Sequence, residues 1–349
     1  MTCCVHFSVI AMNEDIIKII DDAKEKALKN QNIERRILKI FLELDPLSEE
    51  CQYLGETARD VARKTLGNKG RVGSSIGVDL RPCTMNCKFC SLGDKWGLVK
   101  DNYDMSPEQI IAIIKNLISK GFHQFTLRTT EFYSLDALCD LSKKVRSNVD
   151  GSYILTVNTG ELTTDEANRL YESGFNAAYH TVRLGEGVDT PFDPEVRINT
   201  MKAITASKLK LSCGLDPIGV EHTNDEIIDK LELFRSLNPM AICTMKRINV
   251  KGTPFENIPE ISDMRHAQIA AVIRMASGGR NMVAAHPANL QALKWGANHI
   301  SVETGANPRD SDSYMHSTDT FGHEDAVRMI LNAGYELGVT EDFKKIAPY

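Results

Sequence analysis

The sequence RPCTMNCKFCSLG (residues 81–93) places three cysteines, Cys83, Cys87 and Cys90, within eight positions. It follows a short β-type segment, SSIGVDL (74–80). Cysteines this close together can bind a metal, form a disulfide or fill a hydrophobic core as small apolar side chains. In a reducing compartment thiols stay reduced, so a metal or catalytic role is favoured over a disulfide.

From Gly70 onward, short β-type segments alternate with longer amphipathic helical segments. The predicted strands are 74–80, 123–129, 152–158, 176–182, 209–215, 241–250, 281–286 and 299–303. The predicted helices that follow them are 106–119, 135–146, 163–173, 194–206, 223–236, 262–276, 287–295 and 323–337. This order predicts an α/β fold, a (β/α)8 barrel of the TIM type, complete or nearly so.

The region before the barrel has a different pattern. Three helical segments (13–30, 33–44 and 48–67) carry apolar residues at helical spacing, and Asn13 is placed to cap the first of them. We therefore expect an N-terminal helical extension over 1–70, with 1–11 disordered. The barrel would occupy 71–340 and a short tail 341–349.

Composition restricts the function. The 349 residues are 42% hydrophobic and 25% charged, with a formal net charge of −6. An acidic chain of this kind is not typical of a nucleic-acid binder, which needs basic side chains to neutralise phosphates. No apolar run reaches the length of a membrane helix, and the N-terminus lacks a positively charged segment typical of secretion signals. We expect a cytoplasmic protein that acts on a small molecule and binds neither nucleic acid nor membrane.

The spacing of the cysteines, C-x3-C-x2-C, narrows the choice of metal. Structural zinc usually takes four nitrogen or sulfur ligands. Here there is no second cysteine pair, and the next histidine, His123, begins another strand. Three thiolates on one loop suit a cubane iron–sulfur cluster whose fourth iron stays open to a ligand from outside the protein. Zinc and an unligated core remain as alternatives.

The position of this motif after a first barrel strand resembles the radical S-adenosylmethionine (SAM) superfamily, and Phe89 matches the aromatic residue that this family often has before its third cysteine. The resemblance implies an oxygen-sensitive [4Fe–4S] cluster on Cys83, Cys87 and Cys90. It also implies that SAM chelates the open iron and is cleaved reductively. The resulting 5′-deoxyadenosyl radical then abstracts a hydrogen atom from the substrate. Flavodoxin or ferredoxin is the implied electron donor.

Other segments resemble the SAM-binding positions of that family. RTTE (128–131) stands where the family has a G-G-E loop, and the resemblance assigns Glu131 to the SAM ammonium group. GLDPIGVE (214–221) resembles the adenine loop, with Gly214, Ile218 and Gly219 near the ring. Arg183, after the fourth strand, is placed to bind the SAM carboxylate.

Within the superfamily, the chain is most similar to the biotin synthase, hydrogenase-maturase (HydE-type) and methylornithine synthase group, on evidence that includes VKGTPFEN (250–257). Biotin synthases hold a second cluster with cysteines on strands two, three and five and an arginine on strand seven. Here strands two and three lack cysteine, and strand seven has His286. Cys213 on strand five is out of register, and Cys243 lies on strand six, where no ligand is expected. We therefore expect one cluster, with sulfur insertion by a biotin or lipoyl synthase-like enzyme as the alternative.

Polar residues at the strand ends are the candidates for substrate binding. They are Asn158, His180, Asp216, Lys246, Arg247, Asn249, His286 and Glu303. Several are cationic, which favours a small polar, anionic substrate in a biosynthetic or cofactor-maturation step. A non-catalytic iron–sulfur scaffold or electron-transfer protein is a further alternative.

Overall fold

The computed structural model describes residues 13–100, 102–307 and 321–338. Three helices precede the first strand: α1 Glu14–Leu28, α2 Arg35–Glu43 and α3 Glu49–Leu66. The side chain of Asn13 accepts from the backbone of Asp15 and Ile16 and caps α1, as predicted. The predictions for 1–11 and 341–349 lie outside the described residues.

Eight parallel strands form a closed barrel, so the predicted fold is confirmed. In chain order they are β1 Lys69–Gly77, β2 Gln124–Arg128, β3 Ile154–Asn158, β4 Ala177–Tyr179, β5 Lys210–Ile218, β6 Ala241–Lys246, β7 Met282–His286 and β8 His299–Gly305. Each strand pairs with the next, and β1 pairs with β8 from Arg71 opposite His299 to Gly77 opposite Gly305. The carboxyl ends of all eight strands therefore meet at one mouth.

Helices follow the strands along the outside of the barrel. They are α4 Pro107–Ser119, α5 Leu135–Asn148, α6 Thr164–Ser173, α7 Pro194–Ala206, α8 Asn224–Leu237, α9 Asp263–Ser277, α10 Leu290–Lys294 and α11 His323–Asn332. Capping boxes begin α4 at Ser106 and α6 at Thr163, and Thr223 caps α8. Within the described ranges no helix is both long and apolar enough to cross a membrane.

Some element bounds differ from those predicted. The sixth strand ends at Lys246 rather than at residue 250, because the next residues bond within their own loop: Arg247 donates to the Pro259 carbonyl and Asn249 to the Ile258 carbonyl. The last helix ends at Asn332, and Glu336–Leu337 pairs with the start of β1. Strand β1 therefore begins at Lys69, five residues earlier than the predicted start at residue 74.

The N-terminal helices cover one side of the barrel. Helix α9 is buried along almost its whole length because α1, α2 and α3 pack over it while β6 and β7 lie beneath. Trp295 is almost fully buried there, and a Cβ on Gly55 of α3 would lie 2.2 Å from its ring. Glycine at this position thus lets the N-terminal helices approach the barrel closely, away from its mouth.

Candidate functional site

A cavity of about 270 Å³ opens at the carboxyl ends of the strands, and all eight strands contribute to its wall. Thirteen of the predicted residues line it: Cys83, Cys87, Phe89, Cys90, Glu131, Asn158, His180, Arg183, Asp216, Lys246, Arg247, His286 and Glu303. Gly214, Ile218 and Gly219 do not line it. The residues that the sequence singled out on eight different strands and loops are thus brought to one chamber.

The three cysteines lie on a tightly folded loop after β1. The Cys83 amide donates to the Leu92 carbonyl (2.6 Å), and the Asp94 amide donates to the Cys83 carbonyl (3.0 Å). Asn86 has a φ of +48°, and its side-chain oxygen accepts from the Lys95 amide (2.9 Å). These bonds fold the loop back on itself, so that all three cysteine side chains reach the same cavity wall.

Two neighbouring loops hold the cysteine loop in place. The Lys88 amide donates to the Asp189 carbonyl (3.0 Å), and the Lys88 ammonium contacts the Asp189 carboxylate (3.2 Å). From the other side, the Phe255 amide donates to the Lys88 carbonyl (3.2 Å). The VKGTPFEN segment (250–257) therefore supports the cysteine loop through the bond between Phe255 and Lys88.

The cysteines are free thiols in a partly buried setting. Burial raises the pKa of Cys87 to about 12 and that of Cys90 to about 11, and it also raises the pKa of Cys83. Such thiols ionise at neutral pH when a metal centre takes up their charge and their protons leave. Among the described residues, no three His, Cys, Asp or Glu side chains converge on a point that could hold one ion.

Glu131 is positioned by its neighbours. The Thr130 amide donates to Asp79 (2.7 Å), and the Thr130 hydroxyl donates to the same carboxylate. On the other side, a Cβ on Gly160 would lie 2.2 Å from the Glu131 carbonyl, so only glycine permits this approach of the two loops. The Glu131 carboxylate then lies beside a buried arginine, Arg197, at 3.2 Å.

Arg197, on the first turn of α7, is a residue that the sequence analysis missed. Its side chain is 2% exposed and lines the cavity. Besides Glu131, its guanidinium contacts Glu161 (2.8 Å) and lies 3.9 Å from Glu186, and its plane lies 3.4 Å over the Phe192 ring. Three carboxylates from three loops therefore converge on one buried cation.

His180 and Arg183 flank this cluster. His180 lies 3.2 Å from Glu161, and burial lowers the pKa of the imidazole. Burial alone would raise the pKa of Glu161, but hydrogen bonding to His180 and the nearby Arg197 charge bring it down to about 2. The Nη1 of Arg183 is buried and has no hydrogen-bond partner in the described part of the chain, with Glu186 at 3.8 Å. An unsatisfied guanidinium nitrogen on the cavity wall is suited to an anionic ligand.

The GLDPIGVE segment (214–221), predicted as the adenine loop, begins within β5 and lies partly outside the cavity wall. Pairing between β5 and β6 shifts register between Leu215 and Ile218, so Asp216 and Pro217 line the cavity in place of their neighbours. Ile218 and Gly219 line a separate pocket next to it. The three contacts with the adenine ring therefore stay a prediction.

Lys246 and Arg247, at the end of β6, line the cavity but also form ion pairs with carboxylates of neighbouring loops. Lys246 contacts Asp263 (2.9 Å) and Glu260 (3.4 Å). Arg247 is 1% exposed and binds Glu221 (2.9 Å) and the Pro259 carbonyl (2.9 Å). Asn249 donates to the Ile258 carbonyl (2.9 Å) and belongs to the same loop. These contacts order the β6 loop, and a role in binding substrate remains a prediction for Lys246 and Arg247.

Two thiols outside the motif, Cys213 and Cys243, lie on the barrel strands β5 and β6. Cys213 is fully buried and outside the cavity wall, as its register indicated. Cys243 lies on β6, where no cluster ligand was expected, and it lines the cavity. Parallel pairing places it opposite Gly214, whose missing side chain leaves room for the Tyr179 hydroxyl nearby.

Comparisons with known proteins identify the family and related folds. The sequence model of the family described as "Radical SAM superfamily" matches residues 80–264. A biotin synthase of Rickettsia felis is 26% identical over 71% of this chain and 87% of its own length, and one of Brachyspira hyodysenteriae is 23% identical over 93% and 96%. The crystal structure of methylornithine synthase (PylB) superposes with a TM-score of 0.79 at 18% identity, covering 93% of this chain and 99% of that one. That of HydG, a maturase of the [FeFe]-hydrogenase, gives 0.79 at 15% identity, over 95% and 79%.

Proposed function

The chain belongs to the radical SAM superfamily, within its biotin synthase-like group, and on this premise we propose that it cleaves SAM reductively to abstract a hydrogen atom from a small polar substrate. Enzymes of this family use a [4Fe–4S] cluster and SAM and act with a reductant. The observation that carries the proposal is the convergence of Cys83, Cys87 and Cys90 with Glu131 on one cavity wall. Production of 5′-deoxyadenosine from SAM by the reduced protein tests it.

The residues present fit both cofactors. Three free cysteines on one loop are the donor set of a cluster with an open iron. Arg183 lines the same cavity, and its buried Nη1 has no hydrogen-bond partner among the described residues. When bound, the cluster and SAM supply a carbon-centred radical. The barrel wall encloses this site and limits access of water to it. We infer that Cys83, Cys87 and Cys90 each bind one iron.

We infer that the methionine end of SAM binds between Glu131 and the two arginines. The Glu131 carboxylate would accept hydrogen bonds from the ammonium group, and Arg183 would donate to the carboxylate. Arg197 lies 3.2 Å from the Glu131 carboxylate. Because Arg197 also lines the cavity, it would contact the SAM carboxylate together with Arg183. Phe89 would pack beside the cluster on the same wall.

Replacing Glu131 with glutamine or alanine should weaken SAM binding without loss of the cluster, because the carboxylate contacts the ligand and not the iron. A charge-assisted hydrogen bond contributes about 1.5–3 kcal/mol, so affinity should fall roughly tenfold to a hundredfold. Equilibrium dialysis with labelled SAM and iron analysis measure the two effects. Glu195→Ala, at an exposed carboxylate on the same helix as Arg197, is the control and should bind SAM normally. Unchanged affinity in the Glu131 variants would remove this residue from the site.

Four polar residues at strand ends are candidates for contact with the substrate. Asn158, Asp216, His286 and Glu303 line the chamber below the cysteine loop, and we infer that they contact the substrate. The reaction would be a biosynthetic or cofactor-maturation step, and a flavodoxin or ferredoxin would supply the electron.

Sulfur insertion is the alternative that the biotin synthase relatives raise. It would require a donor cluster inside the barrel, and thiolates are the usual ligands of such clusters. In the described chain, Cys243 is the one thiol besides the three motif cysteines that lines the cavity. We therefore expect about four irons per chain after anaerobic reconstitution, and no biotin from dethiobiotin or thiolation of an octanoyl group.

Serine replacements of Cys213 and Cys243 test the same point. Both variants should keep the full iron content, and Cys213→Ser should cost only packing because this thiol is buried away from the cavity. About eight irons in the wild-type protein, or a loss of iron in Cys243→Ser, would favour the sulfur-inserting reaction instead.

A further inference from the structure

The cavity reaches from the cysteine loop down to the amino ends of the barrel strands. Along β8, the alternate residues His299, Ser301 and Glu303 all line it. His299 is the first residue of β8, and Gln124, which also lines the cavity, is the first residue of β2. At about 3.3 Å per residue, the wall of β8 extends about 13 Å from His299 to Glu303. A ligand can therefore contact the barrel far below its mouth.

The charge of the wall changes with depth. On β2, β5 and β8 the lining residue nearest the carboxyl end is charged, whereas the deeper lining residues are polar and carry no charge at neutral pH. The charged residues are Arg128, Asp216 and Glu303, and the uncharged ones are Gln124, Thr126, Ser212, His299 and Ser301. We call the part of the cavity that is formed by Gln124, Ser212, Ala241, Met282 and His299 the deep end. Closed barrels are usually filled with branched apolar side chains at this depth, so the polar wall is unusual.

Two side chains of the deep end have polar atoms without a partner. Gln124 is 9% exposed and His299 is 4% exposed. The Oε1 of Gln124 and the Nδ1 of His299 are buried, and neither has a hydrogen-bond partner within the part of the chain that the structure describes. Buried polar atoms are normally paired, so these two atoms point to a ligand. The terminal torsion of a glutamine is soft, which lets the Gln124 amide turn toward a molecule in the cavity.

The deep end is suited to an uncharged group. Burial, together with the charge of Arg71, lowers the pKa of His299 to about 3, so its imidazole is neutral at physiological pH. Arg71 lies opposite His299 on β1 and is not among the described residues that line the cavity. Its charge opposes a cation at the deep end. An anion there would lose its hydration without meeting a cationic side chain among the described lining residues of the deep end.

We propose that the substrate carries an uncharged N–H or O–H donor, of the amide or alcohol type, at the end remote from its reacting carbon, and that this donor binds Gln124 Oε1 at the deep end. This inference rests on the proposed function and adds an uncharged end to the polar substrate. An amide or alcohol also has an oxygen that accepts from the His299 imidazole or the Ser212 hydroxyl. The reacting carbon would then lie nearer the mouth, on the side of the cysteine loop.

The test uses four perdeuterated six-carbon probes that differ in their end group: hexanamide, hexanol, hexanoate and hexylammonium. Each probe is given to the reconstituted protein with SAM and dithionite, and mass spectrometry measures deuterium in 5′-deoxyadenosine. A chain whose end group binds at the deep end extends toward the mouth and presents its C–D bonds to the radical. We expect transfer from hexanamide and hexanol to exceed transfer from the two charged probes by about tenfold or more, because the charged groups lose their hydration.

The outcomes separate this inference from the proposed function. Absence of 5′-deoxyadenosine with every probe would reject the proposed function. Its formation with equal or greater deuterium from hexanoate or hexylammonium, or without deuterium from any probe, would overturn the uncharged end and leave SAM cleavage standing.

Variants of the deep end complete the test. Gln124→Leu and His299→Phe remove the polar atoms, and each should lower transfer from hexanamide about threefold to tenfold through the loss of one hydrogen bond. Gln52→Leu, at an exposed glutamine of α3 outside the cavity wall, is the control and should leave transfer unchanged. Iron content and SAM binding are measured for each variant. Unchanged transfer in both variants of the deep end, or a loss of iron and SAM binding together with transfer, would overturn the proposal.

Discussion

Replacing Cys83, Cys87 or Cys90 with alanine should remove the iron–sulfur cluster and reduce SAM cleavage to background. Each thiolate is expected to bind a different iron, so that two remaining ligands on a loop cannot retain the cubane. Iron should fall from about four per chain to near zero, and the visible absorbance of the cluster should disappear with it. Anaerobic reconstitution, iron and sulfide analysis and absorbance spectra measure these changes.

The control for this prediction is Cys139→Ala. Cys139 is also a buried thiol, but it lies on α5, away from the cavity. This variant should keep its iron and its spectrum, with a small loss of packing. Retention of a full cluster in any of the three motif variants would contradict the assignment of that cysteine as a ligand.

Replacing Arg197 with glutamine should cause the largest loss of stability among the site variants. Its guanidinium lies between the carboxylates of Glu131, Glu161 and Glu186, and the substitution would leave these charges without their buried cation. Removing one partner of a buried ion pair typically costs about 3–5 kcal/mol. The free energy of unfolding of the apoprotein, from denaturant titration, should fall by about this amount, and SAM binding should weaken as well.

Arg169→Gln serves as the matched control for Arg197. Arg169 pairs with Asp136 on the surface, where both side chains are more than half exposed. Exposed ion pairs contribute about 0–1 kcal/mol, so this variant should unfold close to the wild-type protein. If Arg197→Gln were equally mild, the three carboxylates would not depend on this cation.

The fold was predictable because hydrophobic periodicity and the residues that begin and end helices and strands agree along most of the chain. All eight barrel strands and the helices between them follow from the alternation of short β-type and longer amphipathic segments, and Asn13 caps α1 as expected. The errors fall at element ends. The chain after Lys246 was predicted as strand, although Arg247 and Asn249 bond to the backbone of residues 258–259. Local pattern cannot reveal such a tertiary partner.

The site was predictable where side chains follow strand ends. Glu131, Arg183, His286 and Glu303 all reach the cavity because parallel strands bring their carboxyl ends to one mouth. Arg197 was missed because it lies on a helix, where an arginine usually faces solvent. Its burial depends on Glu131, Glu161 and Glu186, which come from three separate loops.

Contacts between segments distant in sequence also determine the β5 loop and the chamber wall, and local pattern does not show them. The shift of register after Leu215 exchanges the residues that face the cavity, and a glycine pattern alone does not show it. Arg128 precedes the RTTE turn as an ordinary strand residue, and only the closure of β1 on β8 brings Glu303 within 2.9 Å of it. Both features depend on pairing between strands that are distant in sequence.

We infer that this protein cleaves SAM reductively. The most direct test incubates the anaerobically reconstituted protein with SAM and dithionite and measures 5′-deoxyadenosine and methionine by liquid chromatography and mass spectrometry. We predict that both products form in equal amounts with the wild-type protein and that neither forms with Cys87→Ala. Intact SAM after incubation with protein that carries a full, reduced cluster would contradict reductive cleavage and identify the chain as an iron–sulfur scaffold or electron carrier.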